Sequence, residues 1–116
     1  MLTWQGQSLP YVPYVYQHPD FWHTVQTETK RSGNMLSARK VFIDTEAKTP
    51  LTEDVMIPVE NIHGRLLMIG CEDDCLWPTA RYIRRMDERL NIHVHDCVYD
   101  ALLYEYGTHY AFPNPC

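Results

Sequence analysis

Three consecutive carboxylates, Glu72, Asp73 and Asp74, and one histidine, His109, two residues beyond Gly107, are the side chains in this 116-residue chain whose order suggests acid–base chemistry. A carboxylate bonded to one imidazole nitrogen fixes the tautomer and stabilises the imidazolium, so the other nitrogen can take a proton from a nucleophile. The carboxylates also admit two plainer readings, a solvated turn or a site for a hard cation such as calcium or magnesium. Too few further oxygen ligands lie nearby in sequence to favour the cation. An isolated histidine is ordinarily a polar loop residue, and His18, His23, His63, His93 and His95 are read as surface or packing residues. His109 differs because an apolar run, Gly107 and a matching set of acids accompany it.

The elements that must position these groups follow from hydrophobic pattern. Leu66 to Gly70 carries no charge and reads as a strand buried on both faces, as inside a parallel sheet. It must end near Cys71, because Glu72, Asp73 and Asp74 could not continue a buried ladder without a large desolvation cost. Trp77-Pro78 opens a helix, the proline being tolerated where the first turn leaves N–H groups unpaired. Ala80, Ile83, Met86 and Leu90 recur at helical spacing, opposite Arg81, Arg84, Arg85, Asp87 and Glu88. Those arginines read as a solvated face, with a contact to a ligand phosphate as the alternative. Val98 to Tyr104 is a second strand about 30 residues on, the spacing of a βαβ unit. Its strands should be parallel, with both ends at one rim of the sheet. The acids follow one end and His109 the other, and Gly107 is expected to supply a tight turn that swings the imidazole over the rim.

Upstream, Pro10, Pro13 and Pro19 preclude a helix, so residues 1–20 read as an extended loop rich in aromatics. Trp4 and the tyrosines there either cover a core edge or line an apolar channel. Asp20 can cap a short helix carrying Phe21, Val25 and Thr29, which Gly33-Asn34 should end. A second helix is expected over Leu36 to Ala47. Pro50 breaks it, Thr52-Glu53-Asp54 offers another cap, and Pro58 interrupts whatever follows.

Ten basic residues stand against fifteen acidic ones, a net charge of −5, and the basic residues are dispersed. That argues against a nucleic-acid groove. No apolar run approaches membrane-spanning length and the first residues lack the pattern of a secretory signal, so a soluble, cytoplasmic protein is expected. Cys71, Cys75, Cys97 and Cys116 are too few and too irregular for a disulfide framework and read as reduced packing residues. The sharper alternative is a metal site using Cys71 and Cys75, or His93, His95 and Cys97, which strand alternation would place on one face. Neither spacing matches a standard zinc pattern, so no metal and no cofactor is expected.

Ile57-Pro58-Val59-Glu60-Asn61-Ile62, the apolar strand, Glu72-Asp73-Asp74 with Trp77-Pro78, Tyr106-Gly107-Thr108-His109 and the opening Thr3 to Tyr11 together resemble the α/β-hydrolase domain of acyl-CoA thioesterases and bile acid-CoA:amino acid N-acyltransferases. The resemblance is loosest over Pro19 to Thr52, which would correspond to an excursion over the active site. It implies an α/β fold, the C-terminal portion of an α/β-hydrolase. Residues 1–56 would be loop and helical excursion, and residues 57–116 the last β-α-β unit with the acid and histidine loops. It further implies that Asp74 is the orienting acid and His109 the base of a triad acting on an acyl-CoA thioester, released to water or to an amino acid.

In an α/β-hydrolase the order is nucleophile, acid, histidine, with the nucleophile in a G-x-S-x-G elbow or its cysteine version. Ser8, Ser32 and Ser37 lie in no such pattern, and no glycine-rich oxyanion loop precedes the acid. The chain alone is therefore expected to be inactive. Its uncovered sheet edge is expected to favour self-association. A dienelactone-hydrolase-like or other carboxylester hydrolase fragment is the nearest enzymatic alternative. A non-catalytic module keeping the hydrolase scaffold is the alternative of a different class.

Overall fold

A computed structural model describes residues 3–13, 19–107 and 109. Among the described residues the chain is a mixed α/β structure with a small antiparallel hairpin, three α-helices and a two-stranded parallel sheet. The hairpin pairs β1 (Thr3–Trp4) with β2 (Gln7–Ser8) around Gln5 and Gly6, whose φ values are 49° and 79°. The expectation of loop throughout residues 1–20 is corrected here, since a two-residue turn with positive φ suffices to pair such short strands.

α1 (Phe21–Arg31) follows Asp20, but the expected side-chain cap is not made. Instead the Asp20 carbonyl accepts from Thr24 N at 2.8 Å. At the other end Gly33 and Asn34 take φ of 72° and 67°, and Asn34 N reaches back to Thr29 O at 2.9 Å, closing a Schellman turn. α2 (Arg39–Lys48) begins later than Leu36 because the N–H groups of Ala38 and Arg39 are drawn to the carbonyl of Cys75, at 3.1 and 3.0 Å. Pro58 separates two single turns of 3₁₀ helix, Glu53–Val55 and Val59–Asn61, and Thr52 makes no side-chain cap bond. Val25, Ala38 and Val41 form a small core between α1 and α2 that also engages Leu76, in the loop that follows the sheet's first strand.

The main layer pair is β3 (Arg65–Cys71), α3 (Thr79–Ile92) and β4 (Val98–Tyr104). β3 and β4 are parallel, in register from Arg65 opposite Val98 to Cys71 opposite Tyr104. Ile83 and Leu90 of α3 pack on Met68, Val59 and Cys97, with Leu66, Tyr99 and Leu103 around them. Truncating a side chain as buried as Leu90, 1% exposed, to alanine costs about 2–5 kcal/mol. β3 is not buried on both faces as its apolar run implies. Leu67 is 57% and Ile69 41% exposed, because α3 covers only the face that carries Leu66 and Met68.

The arginines of α3 are more than a solvated face. The Glu46 carboxylate, 2% exposed, accepts Arg85 at 2.7 Å and Arg81 at 3.2 Å, tying α2 to α3. Arg84 pairs with Glu72. Arg89 holds Glu60 at 2.5 Å and Glu53 at 2.6 Å, which fastens both 3₁₀ turns to the helix. Arg81, Arg84 and Arg85 are thus ion-paired to two carboxylates of the chain, Glu46 and Glu72, rather than merely solvated.

Candidate active site

The loop that leaves β3 is shaped around Asp74, which is 2% exposed. Its Oδ1 accepts the backbone N–H groups of Leu76 at 2.9 Å and Trp77 at 3.2 Å, the self-bonded turn that an aspartate makes readily. The Thr79 hydroxyl, at the start of α3, donates to Oδ2. Thr79 reaches it because Gly70 lets the helix approach closely. A Cβ on Gly70 would lie 2.7 Å from Thr79 Cγ2 and 2.8 Å from Ile83 Cδ1. The loop is also held from outside, since Ser37 Oγ donates to the Cys75 carbonyl at 3.2 Å and Arg39 Nη1 to the Glu72 carbonyl at 2.7 Å.

Burial alone would push the Asp74 carboxyl up. The bonds from Thr79 and His109, then those from Trp77 and Leu76, outweigh it and hold the group below the ordinary aspartate value. An aspartate so placed stays ionised at neutral pH.

The second loop leaves β4 beside the first. Glu72 N donates to Tyr104 O at 2.8 Å, extending the parallel ladder past Cys71. Gly107 N then donates to Asp73 Oδ1 at 2.9 Å. Gly107 is needed here for a different reason from the expected one. Its φ lies outside the left-handed region, whereas a Cβ at this position would collide with Cys71 Sγ. The close approach of this loop to the end of β3, not freedom in φ, calls for glycine.

His109 Nδ1 lies 3.0 Å from Asp74 Oδ2, across 35 positions of chain. The imidazole side chain is 22% exposed and packs edge-on to the Trp77 indole, with ring centroids 4.6 Å apart at 69°. Nδ1 is thus committed to a buried carboxylate, an arrangement that fixes the tautomer of the imidazole and can stabilise its protonated form. Glu72 and Asp73 are engaged elsewhere. Glu72 pairs with Arg84, and Asp73 receives the Gly107 N–H.

The remaining candidates fall elsewhere. The Cys71 thiol is buried, and that burial, with Asp73 and Asp74 close by, pushes its pKa up and disfavours the thiolate. Ser32 Oγ donates to the Met35 carbonyl at 2.7 Å, while Ser37 Oγ serves Cys75. The metal alternative loses its geometric premise. β4 starts only at Val98, so strand alternation does not align His93, His95 and Cys97, although His95 Nδ1 lies 3.3 Å from Cys97 Sγ. Among the described residues no group of three or more potential metal ligands converges. No described helix is long and apolar enough to cross a membrane.

Sequence reading missed Thr79, Ser37 and Arg39. Thr79 alone carried a signal, a hydroxyl directly after the proline that opens a helix a few residues beyond the acid. Ser37 and Arg39 reach the loop only through tertiary packing.

Compared with known proteins, residues 7–116 match the family model described as BAAT / Acyl-CoA thioester hydrolase C terminal. No curated protein and no solved structure gives a significant match.

Proposed function

The chain belongs to the BAAT / acyl-CoA thioester hydrolase C-terminal family, and on that premise we propose that Asp74 and His109 are the acid and the base of a triad for acyl transfer from an acyl-CoA thioester. The observation that carries the reading is the 3.0 Å contact between His109 Nδ1 and the buried Asp74 carboxylate. The scaffold in this reading is the C-terminal portion of an α/β-hydrolase. The nucleophile and the oxyanion donors come from outside this chain.

His109 Nε2 takes the nucleophile's proton as it attacks the thioester carbonyl. Asp74 stays ionised and stabilises the imidazolium. The tetrahedral oxyanion is met by backbone N–H groups supplied with the nucleophile. As the intermediate collapses, the carbon–sulfur bond breaks and the departing thiolate takes the proton from His109, leaving an acyl-enzyme. Water or an amino-acid amine then attacks, with His109 acting as base again. The raised Cys71 thiol and the commitment of Ser32 and Ser37 to backbone carbonyls support a nucleophile located on another element.

Two measurements test this. In the present chain, NMR should show a His109 Nδ1-bound proton shifted downfield by the carboxylate and lost in Asp74→Ala. In a longer version carrying an elbow, Asp74→Asn should lower acyl-CoA turnover by roughly four orders of magnitude. Turnover indifferent to both Asp74→Asn and His109→Ala would refute the assignment, and turnover confined to simple esters would remove the thioester substrate.

A further inference from the structure

A single carbonyl oxygen joins the loop that carries Asp74 to the start of α2. The N–H groups of Ala38 and Arg39 donate to the Cys75 carbonyl at 3.1 and 3.0 Å, and Ser37 Oγ joins them at 3.2 Å. A carbonyl oxygen has two lone pairs, so three donors saturate it and fix its direction. The N–H of the same peptide unit belongs to Leu76, which donates to Asp74 Oδ1 at 2.9 Å. Because that peptide is planar and trans, its C=O and N–H point opposite ways and turn together.

The same segment touches the site twice more. Arg39 Nη1 donates to the Glu72 carbonyl at 2.7 Å and lies 3.5 Å from that of Asp74, so the guanidinium spans the residues that lead into the acid. Phe42 meets Trp77 with ring centroids 6.0 Å apart, and Trp77 flanks His109 at 4.6 Å. Residues three apart share a helix face, so one face of α2 reaches both the loop of the acid and the aromatic neighbour of the imidazole. Ser37 is buried, 8% exposed, and its N–H donates to Thr29 Oγ1 of α1 at 3.1 Å, which anchors the contact in the α1–α2 pair.

We infer that Ser37 and Arg39 are positioning residues for Asp74, acting through the Cys75–Leu76 peptide, whose N–H they aim at the carboxylate. The reading rests on the proposed acid–base pair and makes its alignment depend on the docking of α1 and α2 against the acid loop. Hydrogen bonds in a chain polarise one another, so donors on the Cys75 oxygen also strengthen the bond from Leu76 N–H. Without them the peptide is free to turn, and Asp74 loses one of its two backbone donors. Burial raises the Asp74 carboxyl, and Leu76 is among the donors, after Thr79, His109 and Trp77, that together hold it low. Loss of that bond moves the carboxyl up and loosens its hold on His109 Nδ1.

The test is an NMR comparison of the whole chain with Ser37→Ala, Ser37→Thr, Arg39→Gln and Val59→Ala. It follows the Leu76 amide proton, the Asp74 carboxyl carbon through a pH titration and the His109 Nδ1 proton. Ser37→Ala removes one donor and no charge. The ionisable groups around the Asp74 carboxyl, His109 from the second loop, Cys71 and Asp73 from its own side and Arg39 from α2, are all kept. The expected result is an upfield move of the Leu76 amide proton, a rise in the Asp74 midpoint and a broadened Nδ1 proton. Ser37→Thr keeps the hydroxyl and should return all three toward the parent values.

Arg39→Gln, at a half-buried position, provides a second measurement should Ser37→Ala not fold, and should broaden the Nδ1 proton in the same way. Val59→Ala removes packing from the other core and should lower stability while leaving the three signals in place. A Leu76 amide proton and an Asp74 midpoint unmoved in folded Ser37→Ala, an Nδ1 proton unmoved in Arg39→Gln, or equal displacements in Val59→Ala overturn the inference. The two readings fail separately. A parent chain without the Nδ1 signature, whose Leu76 amide still answers to Ser37→Ala, removes the acid–base pair and leaves the aimed peptide. An intact signature indifferent to Ser37→Ala and Arg39→Gln removes only the positioning role.

Discussion

Gly107 donates its backbone N–H to Asp73 Oδ1 at 2.9 Å, so the loop carrying His109 is fastened to the loop carrying the acid by the residue immediately before that acid. The bond spans the gap between the ends of two parallel strands, and its acceptor lies one peptide unit from Asp74. Asp73 thus holds the backbone of Gly107, two residues before His109.

Removing that acceptor should loosen the histidine loop without touching the acid. Asp73→Ala is expected to broaden or abolish the downfield His109 Nδ1 proton signal, and Asp73→Asn, which keeps an acceptor oxygen, should restore it. A signal unchanged in Asp73→Ala would deny Asp73 any positioning role.

A methyl group on Gly107 meets the Cys71 sulfur. Gly107→Ala should therefore destabilise the chain by about 1–3 kcal/mol, the usual cost of overpacking. Cys71→Ala creates room, so the double variant should recover part of the loss. Denaturant titration of all four chains measures the coupling, and strict additivity would contradict the collision.

Thr79→Val keeps the shape of the side chain but deletes the hydroxyl that donates to Asp74. The Asp74 carboxyl should move up toward its ordinary value, followed by its carbon shift in an NMR titration. The sign for stability follows from linkage. A carboxyl held low in the folded state adds stability above its unfolded value, about 3.9, and loses it as pH falls through the folded value. Thr79→Val should thus lose less stability on acidification than the parent chain, with the loss complete at higher pH.

The same sign applies to Glu60, which the hydrogen bonds from Arg89, more than any other influence, hold at about 2. Its stabilisation should be present in full above the ordinary glutamate value, about 4.3, and disappear as pH falls toward 2. Glu60→Gln should flatten that part of the acid unfolding curve. An identical curve would show that Glu60 does not couple to folding.

Glu46 sets up an asymmetric pair of substitutions. Deleting its buried carboxylate leaves Arg81 and Arg85, 49% and 30% exposed, able to turn to solvent. Replacing both arginines takes two cations from a buried carboxylate, a defect worth about 3–5 kcal/mol. Arg81→Ala/Arg85→Ala should therefore destabilise more than Glu46→Gln in denaturant titration. The reverse order would mean that the carboxylate gains access to water.

The apolar strand, the amphipathic helix after Pro78 and the second strand were all legible, because each carries its own periodicity and the spacing of a βαβ unit leaves few arrangements. Where reading by pattern failed, a partner decided the outcome. The run from Leu66 to Gly70 carries no mark of which face α3 will cover, so the exposure of Leu67 and Ile69 could not be read from it. Asp20 looks like a cap but makes no cap bond. The arginines of α3 look solvated until Glu46, far away in the chain, is folded beneath them.

The order of residues alone determined that a cluster of acids would follow one strand and His109 the other, because charged groups cannot continue a buried ladder and parallel strands end on the same side. Only the family resemblance pointed to Asp74; the chemistry of the residues could not select among Glu72, Asp73 and Asp74, since three neighbouring carboxylates are alike until their surroundings differ. Tertiary structure supplied that difference: Arg84 draws off Glu72, Gly107 occupies Asp73, and Asp74 sits under Thr79 and two backbone N–H groups with one oxygen turned to the imidazole. Hydrogen bonds of this kind depend on distances of a few ångströms between segments remote in the chain, and those distances exist only once helix and sheet have packed.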